Sequence, residues 1–377
     1  MNKKTSEIQG KKARQSNFEL LRILAILLVI VSHFNVNTFV LGKVSDVHSF
    51  NSVFFIMTIF STGAIGNLIF MILTGYFISQ KDVKPQKTIR LWLEMLFYSG
   101  LFLFITVVVG RHSVTDKELR SSLFPIPFGN WFVVYYILFM LFVPFLNKMI
   151  RQFSRKEHLR LLIVSVLVFS VMPIIFSVPS VTNMAMFFVG YVIGSYIKLY
   201  FRKDFSYKIL FACLGVLILV MAGLTCVKYN EIIAKGTSPT ISYVGHFIVN
   251  NCSIFVILTA TVLFLIFKKI NIGSSKIVNT ISGSVLGVYL IHENVLMRGM
   301  IWRRFGWLDP FTMNPIRYLL IMVGVSVAIF VACTLIDRLR ILLFYKLEGK
   351  MADKIYSFAV LLLGRSSKAI ARITSKP

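Results

Sequence analysis

Long apolar segments, separated by short basic loops, recur along almost the whole chain. A helix needs about 20 apolar residues to cross a hydrocarbon layer roughly 30 Å thick. Ten segments approach that length, at 18–41, 52–78, 89–110, 130–147, 161–179, 182–200, 209–227, 243–267, 281–301 and 317–343. Hydrophobic residues make up 56% of the sequence and charged residues only 15%, which excludes an ordinary soluble enzyme. The sequence therefore predicts an all-α, polytopic integral membrane protein with about ten transmembrane helices.

Positive charge is distributed unevenly between alternate loops. The formal net charge is +26, and 30 of the 41 Lys and Arg residues fall on the cytoplasmic side if the N-terminus is placed there. Such a bias in short loops sets the orientation of a membrane protein, and cations placed in this way do not form a nucleic-acid surface. We therefore predict that both termini are cytoplasmic and that nucleic acid is not a partner.

The same pattern divides the chain into three parts. Residues 1–16 form a basic cytoplasmic segment, 17–343 form the transmembrane domain and 344–377 form a basic cytoplasmic tail. Within the tail, residues 351–363 have the pattern of an amphipathic helix that would lie on anionic lipid headgroups. An ordinary solvated tail fits the sequence equally well.

Two ionisable side chains interrupt the first apolar segment. An arginine at the centre of a membrane helix costs about 2.5–3.5 kcal/mol on insertion scales, so it requires an explanation. Arg22 and His33 are 11 residues apart, which places them on one helix face about 16.5 Å apart along the axis. Taken singly, Arg22 could extend to the interface and pair with Glu19, and His33 could be a buried imidazole bonded to a carbonyl. Their shared face favours a functional path from the cytoplasmic rim to the middle of the membrane.

Four segments carry motifs of a known family. The arrangement Glu19-x-x-Arg22, followed after ten residues by His33, resembles the signature of the membrane-bound acyltransferase family 3, whose members O-acylate cell-envelope sugars. Further segments similar to that family's motifs are Phe70-Met-Ile-Leu-Thr74-Gly75-Tyr76-Phe77, with Thr74 in place of the usual Ser, Trp131-Phe132 with Tyr135 and Pro144, and Tyr289-Leu-Ile-His292. The motifs occur in this order over the first nine predicted spans.

This resemblance implies transfer of an acyl group, expected to be acetyl, from cytoplasmic acyl-CoA to a hydroxyl of an envelope or exported polysaccharide or its lipid-linked precursor. His33 is the candidate general base, because a neutral imidazole titrates near working pH. Arg22 would bind the donor or hold polar groups in a cytoplasmic funnel. His292 and Tyr289, which share a helix face, would bind or orient the acceptor. A covalent acyl-histidine relay remains open.

Contacts to the two substrates are expected from other residues as well. Lys87 and Arg90 follow the second span, where the family often has R-x-x-R, and at i, i+3 they could converge on a CoA phosphate. The excess of Lys and Arg that is usual in cytoplasmic loops also explains both residues. Trp131, Tyr135 and Glu19 are the candidate acceptor contacts, although an interfacial aromatic belt is the simpler explanation for the two aromatic residues.

A second class of function stays open at this stage. In a transporter or flippase of a polysaccharide precursor, the stripe of Arg22 and His33 would be a pathway for substrate or protons. No inverted repeat is visible, and the family motifs favour the enzyme. The four cysteines lack C-x-x-C spacing, so neither a disulfide framework nor a zinc site is predicted. No metal and no permanently bound cofactor are expected. The expected partners are acyl-CoA, the sugar acceptor and the lipids of a bacterial cell membrane.

Overall fold

The structure is a computed structural model that describes residues 14–38, 50–111, 113–173, 182–235, 251–308 and 313–374. These residues form helices and no β-strand. The α-helices are α1 Ser16–Thr38, α2 Phe50–Met57, α3 Gly63–Ile78, α4 Pro85–Phe104, α5 Asp116–Leu123, α6 Pro125–Phe128, α7 Trp131–Gln152, α8 Arg155–Val166, α9 Thr182–Leu199, α10 Tyr207–Lys235, α11 Ile254–Lys269, α12 Lys276–Ser282, α13 Val285–His292, α14 Arg298–Trp302 and α15 Pro315–Thr374. Turns of π-helix at Thr58–Thr62, Ile105–Val109 and Leu167–Val171 continue α2, α4 and α8.

Five of the described helices are long and apolar enough to cross a membrane. They are Ser16–Asn37, Pro85–Val109, Trp131–Gln152, Tyr207–Val227 and Pro315–Leu362. The all-helical membrane class predicted from the sequence is therefore confirmed, whereas the count of ten spans and the side of each terminus stay predictions. Parts of the predicted spans 18–41, 161–179 and 243–267 lie outside the described residues.

The ninth predicted span, 281–301, is wrong as a single helix. Helix α12 ends at Ser282, the backbone leaves helical angles at Ser284 and resumes them in α13, and it leaves them again after His292. Glycine and asparagine favour these breaks, and the Asn294 side chain accepts the backbone N–H two residues later at 3.0 Å, which holds the second turn. Irregular backbone at membrane depth is tolerated only inside the protein, and both His292 and Asn294 are buried. His292 is thus the last residue of a short, broken helix.

The tightest packing in the bundle joins α1, α3 and α9. A Cβ atom added at Gly194 of α9 would lie 2.0 Å from the Ile72 carbonyl oxygen, and one at Gly66 of α3 would lie 2.4 Å from the Ala25 carbonyl oxygen. Only residues without a side chain allow backbones to approach so closely. The helix that carries Arg22 and His33 is therefore fixed directly against its neighbour.

A buried ionic cluster fastens α15 to α4. The Arg340 guanidinium contacts Glu94 at 2.9 Å and Asp337 at 2.8 Å, and it also binds Glu348. Removing one partner of a buried ion pair typically costs about 3–5 kcal/mol. The helix continues without a break beyond this cluster, so the predicted boundary between the last span and the basic tail is not a break in the structure.

Candidate active site

The two histidines singled out in the sequence meet inside the bundle. His33 Nδ1 lies 2.9 Å from His292 Nε2, although 259 residues separate them in the chain. The His33 side chain is 17% exposed, and His292 is fully buried. The Tyr289 ring, one turn before His292, lies 6.1 Å from the His33 ring between centroids. The structure thus brings three of the four predicted catalytic candidates together.

Hydrogen bonding assigns the protons of this histidine pair. His292 Nδ1 lies 2.6 Å from the Val288 carbonyl oxygen, which can only accept, so Nδ1 carries the proton. In a neutral imidazole the other nitrogen, Nε2, is then an acceptor. His33 Nδ1 therefore donates to His292 Nε2, and the lone pair of His33 lies on its own Nε2. This tautomer is the one that a general base needs.

Glu293, which the sequence predicts to pair with Arg298 or with another helix, completes the group. Its Oε2 atom lies 3.4 Å from His33 Nδ1, and its Oε1 atom lies 3.4 Å from the Arg298 guanidinium. The Asn130 side chain donates to the Glu293 carbonyl oxygen at 2.8 Å, which ties α7 to the end of α13. A carboxylate in this position stabilises a protonated His33 by direct attraction.

The same three residues are potential metal ligands. The ligand atoms of His33, His292 and Glu293 lie within 4.8 Å of one another. Two nitrogens bound to one tetrahedral zinc ion at about 2.0–2.1 Å would be about 3.3 Å apart. The two histidine nitrogens are 2.9 Å apart, which is the distance of a hydrogen bond between them and the arrangement that proton transfer needs. The absence of a metal requirement stays a prediction.

Arg22 occupies the opposite end of the polar stripe on α1. Its guanidinium binds the Glu19 carboxylate, and its Cζ atom lies 5.6 Å from the centre of the Phe77 ring. Glu19 is 3% exposed, also forms an ion pair with Arg14 and accepts a hydrogen bond from Ser282, so its oxygens already have partners. Glu19 therefore orients Arg22 and joins α1 to α12, which leaves it little capacity to bind a sugar.

A cavity of about 970 Å³ connects Arg22 with the neighbourhood of the histidines. We call it the main cavity. The cations in its wall are Arg14, Arg22, Lys81, Lys87 and Lys198, and its inner wall includes Ile26, Asn67, Phe132, Tyr136 and Tyr289. Tyr289 is the link to His33, which lies just beyond the wall. We call the end of the bundle that carries the five cations the basic end.

Lys87 and Arg90 do not converge on one anion. Lys87 lines the main cavity, whereas Arg90 faces α15. The Arg90 guanidinium lies 3.3 Å from the centre of the Tyr345 ring, donates to the Tyr345 carbonyl oxygen at 3.0 Å and lies 3.6 Å from Glu348. Arg90 therefore has a structural set of partners, and only Lys87 is placed where a ligand in the main cavity could reach it.

The two aromatic candidates for acceptor binding lie beside the cavity and not in its wall. Trp131 packs edge-on against Tyr135, with ring centroids 6.4 Å apart. On the same helix, Phe132 and Tyr136 line the main cavity instead. The position that follows each predicted residue therefore faces the cavity, a distinction that the motif alone did not make.

Comparison with known proteins identifies the family of the chain. A family model described as an acyltransferase domain matches residues 15–336, and this range contains Arg22, His33 and His292. No curated protein and no solved structure matches the chain. The family match covers most of the chain and confirms the resemblance drawn from the motifs. The protein is therefore a multi-pass membrane protein that belongs to the acyltransferase family 3.

Proposed function

We propose that this protein is a membrane O-acyltransferase that moves an acyl group, with acetyl as the expected group, from cytoplasmic acyl-CoA to a hydroxyl of an envelope or exported polysaccharide or its lipid-linked precursor. The observation that carries the proposal is the main cavity, which begins among cations at the basic end and reaches Tyr289 beside the histidine pair. Cations attract the phosphates of CoA, and a buried channel holds the thioester arm. In this proposal the basic end faces the cytoplasm of a bacterial cell.

Proton transfer by His33 is the central step of the proposed reaction. The acceptor hydroxyl gives its proton to His33 Nε2 while its oxygen attacks the thioester carbonyl carbon and forms the new C–O bond. The tetrahedral intermediate then breaks its C–S bond, and the departing thiolate takes the proton back from His33. Glu293, 3.4 Å from Nδ1, stabilises the imidazolium that exists between the two transfers. Arg22 and Tyr289 position the donor arm and the acceptor.

A relay through an acyl-histidine uses the same lone pair. His33 Nε2 would attack the thioester carbonyl carbon and the C–S bond would break, while the acyl-imidazolium loses its Nδ1 proton through His292 and the departing thiolate takes up a proton. The acceptor hydroxyl would then attack the acyl carbon, the N–C bond would break, and the proton of the hydroxyl would return to the imidazole. The two routes differ in one intermediate. Rapid quenching of a reaction without acceptor, followed by mass spectrometry of the peptide that contains His33, detects an acetylated ring if the relay operates.

Turnover by purified protein tests the proposal against a transporter. The protein in detergent is mixed with radiolabelled acetyl-CoA and the envelope glycan fraction of a strain that lacks it. The expected result is label in the glycan with one CoA thiol released per acetyl group transferred. Movement of a lipid-linked glycan across the bilayer of liposomes that contain the protein, without release of CoA, would instead support the transporter and reject the proposal. Mass spectrometry of glycans from wild-type and deletion strains then identifies the acceptor.

A further inference from the structure

A smaller cavity adjoins the mouth of the main cavity at the basic end. Its volume is about 490 Å³, and its wall includes Lys268, Lys269 and the polar side chains of the loop that follows α11. Arg14, Gln15 and Tyr76 line both cavities, so the two spaces meet at these residues. A molecule in the smaller cavity could therefore extend directly into the main cavity.

Cations at this junction outnumber the carboxylates that could neutralise them. Burial lowers the pKa of the Lys268 ammonium, which lies just beyond the predicted span 243–267, and the neighbouring Arg202 and Lys198 cations lower it further. Asp204 is close, but it already binds Lys269, with Nζ and Oδ1 2.6 Å apart. Lys198 and Lys268 are thus held near each other and near Arg202 although like charges repel.

Glu19 does not remedy this excess. It is the one carboxylate in the described walls of the two cavities, and it is shared between Arg14 and Arg22. The cations in those walls are Arg14, Arg22, Lys81, Lys87, Lys198, Lys268 and Lys269. A concave wall with this imbalance attracts a polyanion, because a bound anion relieves the repulsion between the cations.

We propose that the phosphates at the nucleotide end of the donor bind in a basic pocket formed by Arg14, Lys198 and Lys268. This inference rests on the proposed function, since it takes acyl-CoA as the donor. From the basic pocket the pantetheine arm passes Arg22 in the main cavity, and His33 lies about 16.5 Å farther along α1. The phosphates are therefore held by residues of α9, α11 and the start of α1, and not by the pair Lys87 and Arg90.

Phosphate esters also occur in anionic lipid headgroups, so the binding experiment separates the two sources. Purified protein is placed in nanodiscs of phosphatidylcholine, and binding of CoA, dephospho-CoA and pantetheine is measured by calorimetry. The variants are Lys268→Ala and Lys198→Ala, with Lys156→Ala as the matched control, because Lys156 is an exposed lysine on α8 outside both cavities. A second set of nanodiscs contains phosphatidylglycerol, and native mass spectrometry counts the lipids that stay bound to each variant. This part of the experiment tests whether the lysines bind lipid headgroups instead of CoA.

Each cavity variant should weaken CoA binding about tenfold or more, because a hydrogen bond to a charged group of this kind carries at least that much affinity. Pantetheine binding should not change, and the Lys156→Ala control should bind CoA like the wild type. Raising the salt concentration should weaken CoA binding to the wild type more than to the variants. CoA affinity that is unchanged in Lys268→Ala and Lys198→Ala overturns the inference, and so does a loss confined to bound phosphatidylglycerol.

The failure of this inference is distinguishable from failure of the proposed function. If the protein transfers acetyl from acetyl-CoA but the two lysine variants keep the wild-type KM for the donor, the basic pocket is refuted and the acyltransferase proposal stands. If no transfer occurs with any acceptor, the function fails, whereas the calorimetric comparison of CoA with pantetheine still decides whether the pocket binds phosphates.

Discussion

Replacing Glu293 with Gln should slow acyl transfer, because it removes the negative charge beside the imidazolium that forms on His33. The interacting atoms are 3.4 Å apart, so at an effective dielectric constant of about 20 the full attraction is about 5 kcal/mol. Arg298 contacts the other oxygen of the carboxylate and offsets part of this attraction. If about half of the attraction remains after this offset, its loss in the Glu293→Gln variant lowers kcat roughly 70-fold. The KM for the donor should stay constant, since Glu293 does not line the main cavity.

Arg298→Ala is the matched variant with the opposite expected sign. Its side chain is 48% exposed, so loss of the ion pair costs little stability, and the freed carboxylate stabilises the imidazolium more strongly. We expect kcat to stay at the wild-type value or rise. The assay measures release of CoA thiol at saturating donor and acceptor, with thermal unfolding of each variant as a control for folding. A folded Glu293→Gln protein with wild-type kcat, or equal losses in both variants, would refute the assigned electrostatic role.

Four further substitutions and one chemical treatment extend the test. His33→Ala should lower turnover by about 10²- to 10⁴-fold while CoA binding survives, because the general base is lost; wild-type turnover would contradict this role. Arg22→Lys should lower kcat/KM by about tenfold despite its retained charge, since an ammonium cannot reproduce the planar guanidinium, and an unchanged value would make Arg22 a simple charge. Cysteines introduced at Thr115 and Arg155 should be labelled by a membrane-impermeant reagent from outside and inside respectively, and the reverse pattern would invert the topology. Chelation with EDTA should leave the activity unchanged, whereas a loss restored by zinc would assign the histidine cluster to a metal.

The meeting of the two histidines could be anticipated from counting alone. His33 lies 11 residues beyond Arg22, and His292 lies at a similar distance from the start of the ninth predicted span, so both reach the same depth. The depth of a residue in the membrane follows from its position within an apolar segment, which the sequence defines well. The rotation of each helix about its own axis is set by packing and does not follow from the hydrophobic pattern. Arg90 was therefore expected to contact a CoA phosphate, whereas its guanidinium packs on the Tyr345 ring.

The predicted pairing of Glu293 with Arg298 is found, but a continuous ninth helix would not place its carboxylate beside the two histidines. On such a helix its side chain would point about 100° away from His292. The helix in fact ends at His292, and Glu293 takes φ −108° and ψ 12°, which turns its carboxylate towards His33. The signal that could have been used is chemical, because an ionisable residue at membrane depth is by default a candidate functional residue.

The contact between His33 and His292 also has a consequence for the biosynthesis of the protein. The two residues are 259 positions apart, and a ribosome that adds about 5–20 residues per second needs roughly 13 to 52 s to make the second after the first. During that time α1 is in the membrane with Arg22 and His33 but without the helices that later surround them. Its own apolar residues, and then its close fit against α3, must hold it there until α13 arrives. The candidate active site is therefore among the last parts of the protein to be assembled during translation.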